Sequence, residues 1–115
     1  MPSNLLPYDG ELWYQNHFVP ESDRLMQKLL EDVQWQRDQV KMYGKLITTR
    51  REMAWYGDPE ARYRYSGISR EPLPWLDVLL AWATEAGNAC TCEFNSCLVN
   101  RYHDGTEGMG WHRDN

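Results

Sequence analysis

Apolar positions recur at helical spacing in two stretches of the chain and at strand spacing in most of the rest. Leu25, Leu29 and Val33 lie four residues apart, with Met26 and Leu30 beside them. This is one apolar stripe, so the spacing predicts a helix that packs on something flat, such as a sheet. Pro20 opens that helix, and Glu21 and Asp23 fall in its first turn, where the helix dipole favours acids. The second stripe is Trp75, Leu76, Leu79, Leu80 and Ala83, preceded by Pro72 and Pro74. It predicts a helix over 75–86 with Gly87 as the residue that ends it.

Extended structure is expected elsewhere. Residues 11–19 (ELWYQNHFV) read as a short strand. Residues 35–41 and 45–55 are rich in aromatic and β-branched residues, and Met42-Tyr43-Gly44 between them reads as a hairpin tip. Tyr56-Gly57-Asp58-Pro59 is a second turn. Residues 62–66 form a strand with Tyr63 and Tyr65 on one face and Arg62 and Arg64 on the other. Residues 92–102 are a strand and 106–114 are extended. Residues 1–10 are turn-rich and expected to be loose. The pattern is α+β, with two helices backing a mostly antiparallel sheet.

Charge sharpens this picture locally. The 115 residues carry a net charge of −5, which argues against a generally basic DNA-binding protein. Residues 41–70 nevertheless hold Lys41, Lys45, Arg50, Arg51, Arg62, Arg64 and Arg70 against Glu52, Asp58 and Glu60. That strip is net basic on an acidic body, and it suits phosphate contact as well as it suits solvated strand faces. Six Trp and seven Tyr supply core bulk, and beside Arg and Lys they also suit stacking on bases. The cysteines, Cys90, Cys92 and Cys97, are odd in number and spaced wrongly for zinc. Reduced thiols in an intracellular protein are the simplest reading. No apolar run approaches a membrane span, and the first ten residues do not resemble a signal peptide.

Candidate chemistry gathers at the end, in NRYHDGTEGMGWHRDN (residues 100–115). On a strand, His112 and Asp114 would point to one side, as two of the three ligands of a 2-His-1-carboxylate metal site. Taken alone, most His-x-Asp pairs are surface residues or a hydrogen-bonded couple. Asn100 and Tyr102 likewise share a side and could bond an anionic oxygen. A two-residue hairpin at Asp104-Gly105 would place His112 opposite Cys97, on the wrong face for the two pairs to converge. A metal site therefore requires that 103–110 is not a tight hairpin, and Gly105, Gly108 and Gly110 allow that.

These residues resemble the NxY…G…HxD signature of the AlkB family of Fe(II)- and 2-oxoglutarate-dependent dioxygenases, which remove alkyl groups from nucleic-acid bases. Arg51-Glu-Met-Ala-Trp-Tyr-Gly-Asp58 resembles the family's PRxxAxYGD segment, with Arg50 where proline is usual. Tyr63-Arg-Tyr-Ser-Gly67 and Glu93-Phe-Asn-Ser-Cys-Leu-Val-Asn-Arg-Tyr102 are similar to two further segments, and Met42-Tyr43-Gly44-Lys45 to the finger of the duplex-DNA-repair branch. The resemblance implies the N-terminal part of a double-stranded β-helix, or jelly roll. Residues 11–70 would form its nucleic-acid-recognition part, and 71–115 the second helix and the start of the core. It implies His112 and Asp114 as Fe(II) ligands, and Asn100 and Tyr102 as hydrogen-bonding partners of 2-oxoglutarate, with O₂ as the other co-substrate. Tyr63, Tyr65 and Ser66 would line the pocket for a flipped base, Arg51 would contact nucleic acid, and Tyr43 would be the intercalating tip. The partner implied is alkylated DNA or RNA, with no membrane, in the cytoplasm of a bacterium or the nucleus of a eukaryote.

The distal strands, the second iron-binding His and the arginines that clamp the co-substrate have no counterpart before Asn115. His17 and His103, the other histidines, lie in no segment like the distal motif. The expectation is therefore an N-terminal portion that is inactive alone. The competing expectations are a non-catalytic nucleic-acid-binding remnant and a family member acting on RNA or protein.

Overall fold

The computed structural model describes residues 3–61, 63–65 and 68–113, and the backbone alone at Val40, Met42, 63–65 and 68–70. The chain divides into two compact units, residues 1–32 and 33–115.

In the first unit Asn4 closes residues 4–12 into a loop. Its Oδ1 accepts from the Leu6 and Leu12 amides at 3.0 and 2.9 Å, and its Nδ2 donates to the Gly10 carbonyl at 3.2 Å. The expected strand over 11–19 is absent, because the Leu12 amide that a strand partner would take goes to this side chain. The chain then turns through His17, at φ 54°. Helix α1 is Ser22–Asp32. Glu21 does not lie in its first turn as expected. It has a left-handed φ of 51° and accepts the Leu25 amide at 3.1 Å, the position of a helix N-cap.

The second unit is organised by one long strand. In sequence order its elements are β1 (Gln36–Met42), β2 (Lys45–Gly57), β3 (Tyr63–Tyr65), β4 (Ile68–Arg70), α2 (Asp77–Cys90) and β5 (Ser96–Arg101). Strands β1, β2 and β5 form an antiparallel sheet in the order β1-β2-β5, and β3 pairs with β4 as a separate ribbon. The whole is the α+β class expected, with a three-stranded sheet that is not closed into a barrel. Beyond Met53 the pairing with β1 ends. There Leu73 takes over the edge, accepting from the Gly57 amide at 3.0 Å and donating to the Trp55 carbonyl at 2.8 Å.

Burial alternates along the C-terminal half of β2. Ala54 and Tyr56 are enclosed, with Tyr56 only 1% exposed, and their β5 partners are Val99 and Cys97. The Tyr56 hydroxyl would be costly to bury unpaired, and it accepts the Gln34 amide at 2.9 Å. Val33 and Leu79 complete the buried apolar set among the described residues.

Helix α2 starts two residues later than the apolar stripe suggests and runs past Gly87. Leu76 is its extended N-cap, and Thr91, at φ 55°, is its left-handed C-cap. Leu80, expected in the stripe, is exposed. Gly87 is not a terminator. It lies buried inside the helix, where a Cβ would meet the Cys92 carbonyl oxygen at 2.5 Å. The chain folds back over it, and the Cys92 amide bonds the Gly87 carbonyl at 3.0 Å.

The β1–β2 register shifts between Arg37 and Gln39. Arg37 faces Glu52 while Gln39 faces Thr48, so β2 carries extra residues at Thr49, Arg50 and Arg51. Buried Thr49 fastens this bulge, its Oγ1 accepting the Asp38 amide at 3.1 Å and donating to the Arg51 carbonyl at 3.0 Å.

Two substitutions test this packing by urea denaturation. Gly87→Ala will destabilise the chain by about 1–3 kcal/mol, overpacking outweighing the helix propensity gained. Thr49→Val will cost about 1–2 kcal/mol through two lost hydrogen bonds.

Candidate active site and nucleic-acid interface

The hairpin tip is a two-residue loop. Met42 pairs with Lys45, leaving Tyr43 and Gly44 between the strands at φ 49° and 77°. Two positive φ values make a type I′ turn, whose twist matches that of the flanking strands. Tyr43 is 98% exposed. The sequence reading of the tip thus holds, and its aromatic side chain stands clear of the sheet.

Arg51 emerges from the bulge in β2. It is half-buried, and its Nε is enclosed with no hydrogen-bond partner among the described residues. Tyr63 and Tyr65 lie on β3, with Tyr63 opposite Arg70 and Tyr65 opposite Ile68. Ser66 and Asp114 lie outside the described residues.

Asn100 is the penultimate residue of β5 and pairs with Met53. The strand pleat puts it on the face of Leu98, Met53 and Trp55, away from the buried Ala54 and Tyr56. Tyr102 lies one residue past the end of β5 and is exposed. Residues 106–113, expected to be extended, contain no strand. Asp104 directs the chain elsewhere: its Oδ1 accepts from the Thr106 amide at 2.8 Å and from the Thr106 hydroxyl, and its carbonyl accepts the Glu107 amide at 3.2 Å. An aspartate turn of this kind uses the bonds that strand pairing would need. The condition that 103–110 is not a tight hairpin is met.

This loop is held to β2 by a charged cluster that the sequence motifs did not reveal. His103 Nδ1 lies 2.9 Å from both carboxylate oxygens of Glu107, and Nε2 lies 2.7 Å from Glu52 Oε1. The His103 amide donates to Glu107 Oε2 at 3.0 Å. Arg50 reaches Thr106 Oγ1 at 3.0 Å and Glu107 Oε1 at 3.8 Å, and Arg101 lies 3.9 Å from Glu52. Hydrogen bonds to Glu107 and then to Glu52 raise the His103 pKa above the ordinary imidazole value, against some desolvation and the nearby Arg101 charge. The His103 amide and then its ring hold Glu107 below the usual carboxylate range, against desolvation. The Thr106 hydroxyl and amide do the same for Asp104. Burial alone pushes the Cys97 thiol up.

His112 is exposed, with Nδ1 2.8 Å from the Gly110 carbonyl oxygen. A proton on Nδ1 would donate to that carbonyl and leave the lone pair on Nε2, the tautomer a metal ligand needs. Among the described residues, however, no three His, Cys, Asp or Glu side chains stand together as a metal-holding group. The described donor set does not by itself make up an iron site. A surface cavity of about 540 Å³ is lined by Gly57, Pro59, Glu71 and Trp75 among others. It involves neither Asn100, Tyr102 nor His112 and has no part in the site. No described helix is long and apolar enough to cross a membrane.

Comparison with known proteins agrees with the motifs. The family model of the 2OG-Fe(II) oxygenase superfamily matches residues 12–115. The DNA oxidative demethylase ALKBH2 of Homo sapiens is 34% identical over 97 residues, covering 82% of this chain and 37% of its own length. The alpha-ketoglutarate-dependent dioxygenase alkB homolog 3 of Mus musculus is 34% identical over 97 residues, covering 84% of this chain and 33% of its own length. The chain therefore spans about a third of the length of the curated relatives it matches. With its NxY strand, its aromatic hairpin tip and this match, the chain belongs to the AlkB-like branch of the 2OG-Fe(II) oxygenase superfamily.

Proposed function

We propose that this chain is the nucleic-acid-recognition part and the first core strand of a dioxygenase that oxidatively dealkylates DNA bases. The observation that carries the reading is the β1–β2 hairpin, which holds Tyr43 almost wholly in solvent on a two-residue turn. An aromatic side chain on such a tip can enter a base stack and fill the gap left by an extruded base. Lys41 and Lys45 flank the tip and would meet phosphates on either side. Arg51, whose Nε has no hydrogen-bond partner among the described residues, would contact nucleic acid. Tyr63, Tyr65 and Ser66 would complete the wall for the flipped base. The relatives, a DNA oxidative demethylase and an alpha-ketoglutarate-dependent dioxygenase, support the reaction class.

Asn100 and Tyr102 would hold 2-oxoglutarate, and His112 with Asp114 would hold Fe(II). When bound, that pair of groups supplies oxidation of an N-alkyl carbon by O₂. The chain's own contribution is to grip the duplex, extrude the base and present the strand that orients the co-substrate.

A second reading, nucleic-acid binding without catalysis, is favoured by the independence of the hairpin from any metal ligand. Protein or single-stranded RNA as substrate would leave the exposed tyrosine tip without a duplex to probe.

Binding of a methylated duplex followed by fluorescence anisotropy tests the proposal. Tyr43→Ala will weaken binding by about 1–3 kcal/mol, the worth of one stacked aromatic. Arg51→Ala will weaken it and flatten its salt dependence. Equal affinity of wild type and Tyr43→Ala would sink the finger assignment. The 115-residue chain, supplied with iron, 2-oxoglutarate and methylated DNA, will release no formaldehyde above background. Stoichiometric release would show that the chain completes a working site. Binding that survives chelator and His112→Ala is expected for either reading, so formaldehyde release by a longer chain separates them.

A further inference from the structure

His103, Glu52 and Glu107 have no role of their own in the proposed activity, yet they join two segments that matter to it. Glu52 follows Arg51 in β2, and Glu107 lies in the loop that runs on to His112. A carboxylate is purely an acceptor when ionised, and both ring nitrogens of His103 face carboxylate oxygens at hydrogen-bond distance. Only a ring that donates from both nitrogens satisfies both contacts.

We propose that His103 is a positioning residue, whose doubly donating ring ties the loop leading to His112 onto the strand that carries Arg51. The significance of that tie for catalysis rests on the proposed function, whereas the tie itself does not.

The charges around the ring are consistent with the role. From β2 come Arg50 and Glu52, from β5 comes Arg101, and from the loop come Asp104 and Glu107. Glu52 and Glu107 would repel one another without a cation between them. Arg101 and Arg50 stand at 3.9 and 3.8 Å from them, at the limit of ion pairing, whereas the imidazole stands at 2.7 and 2.9 Å. The Glu107 side chain is only 6% exposed, so its charge depends on these partners.

The pH dependence follows from the shifts. The His103 pKa is raised, so its contribution is complete below the ordinary imidazole range and is lost as pH rises through the raised value. The pKa values of Glu107 and Asp104 are lowered, so theirs is complete above the ordinary carboxylate range and is lost as pH falls through the lowered values. The loop is held between those limits.

Nitrogen-15 NMR of the labelled 115-residue chain, without metal or nucleic acid, reads the ring directly. Both His103 nitrogens will keep their protons to a higher pH than a free imidazole does. Hydrogen-exchange protection factors of the Thr106 and Glu107 amides will fall as His103 deprotonates. His103→Gln will lower those protection factors about three- to tenfold at about pH 7 and abolish the alkaline step. His103→Lys, a cation of higher pKa, will restore protection and carry it to higher pH. Far-UV circular dichroism at the wild-type level will confirm that the strands persist in both variants. A His103 ring that loses its second proton no later than a free imidazole, or unchanged protection in His103→Gln, would overturn the proposal. Because no nucleic acid is present, either result would leave the proposed function standing. Loss of duplex binding in Tyr43→Ala has no bearing on the clasp.

Discussion

The backbone of β2 has to place its amides and carbonyls on both edges, and most of residues 33–113 is arranged around that demand. β1 covers one edge as far as Met53, and Leu73 takes it over at Trp55 and Gly57. β5 covers the other edge from Glu52 to Gly57. The segment between β2 and α2 must therefore return to the strand it has just left. On the other edge Gly57 stands close to the segment entering β5, where a Cβ would meet the Asn95 carbonyl oxygen at 2.7 Å. The candidate site residues are placed by this strand. Tyr43 precedes its start, Arg51 lies at its bulge, Glu52 anchors the loop, and Asn100 is registered against Met53.

Features set by neighbours in sequence were legible in advance. The hairpin tip was, because Tyr43-Gly44 closes within four residues and Gly44 supplies a left-handed position cheaply. The NxY strand and both helices were legible for similar reasons. Where the sequence reading failed, another group had taken the bond or the space that the expected element needed. Residues 11–19 have the composition of a strand, but Asn4 takes the Leu12 amide. Gly87 has the look of a helix stop, yet it is needed where the Cys92 carbonyl crosses the helix. The bulge at Thr49 depends on register with β1, which no local pattern encodes.

The candidate site divides along the same line. The motif spacing put Asn100, Tyr102 and His112 in one family pattern, and the superfamily model spans all three positions without assigning them a role. The cluster around His103 escaped notice because Glu52 lies 51 residues upstream. Only the local half, His103 with Glu107 and Asp104 with Thr106, leaves a trace in sequence, as i,i+4 and i,i+2 spacings. That cluster also changes the picture of the net-basic 41–70 strip. Arg50 turns toward Glu107 and Thr106 and is partly neutralised there, whereas Tyr43 at the hairpin tip stays exposed.

The tip itself carries a contradiction. A left-handed φ costs a bulky aromatic residue about 1 kcal/mol relative to glycine, and asparagine tolerates it better. Tyr43 adopts that conformation while burying almost none of its ring. Within this chain it is therefore a net liability, with backbone strain and no packing to offset it. A library sorted for thermal stability would drift toward Asn-Gly at this turn, and one sorted for grip on a partner would not. Residue 43 is thus where the demands of folding and of recognition can be measured against each other one side chain at a time.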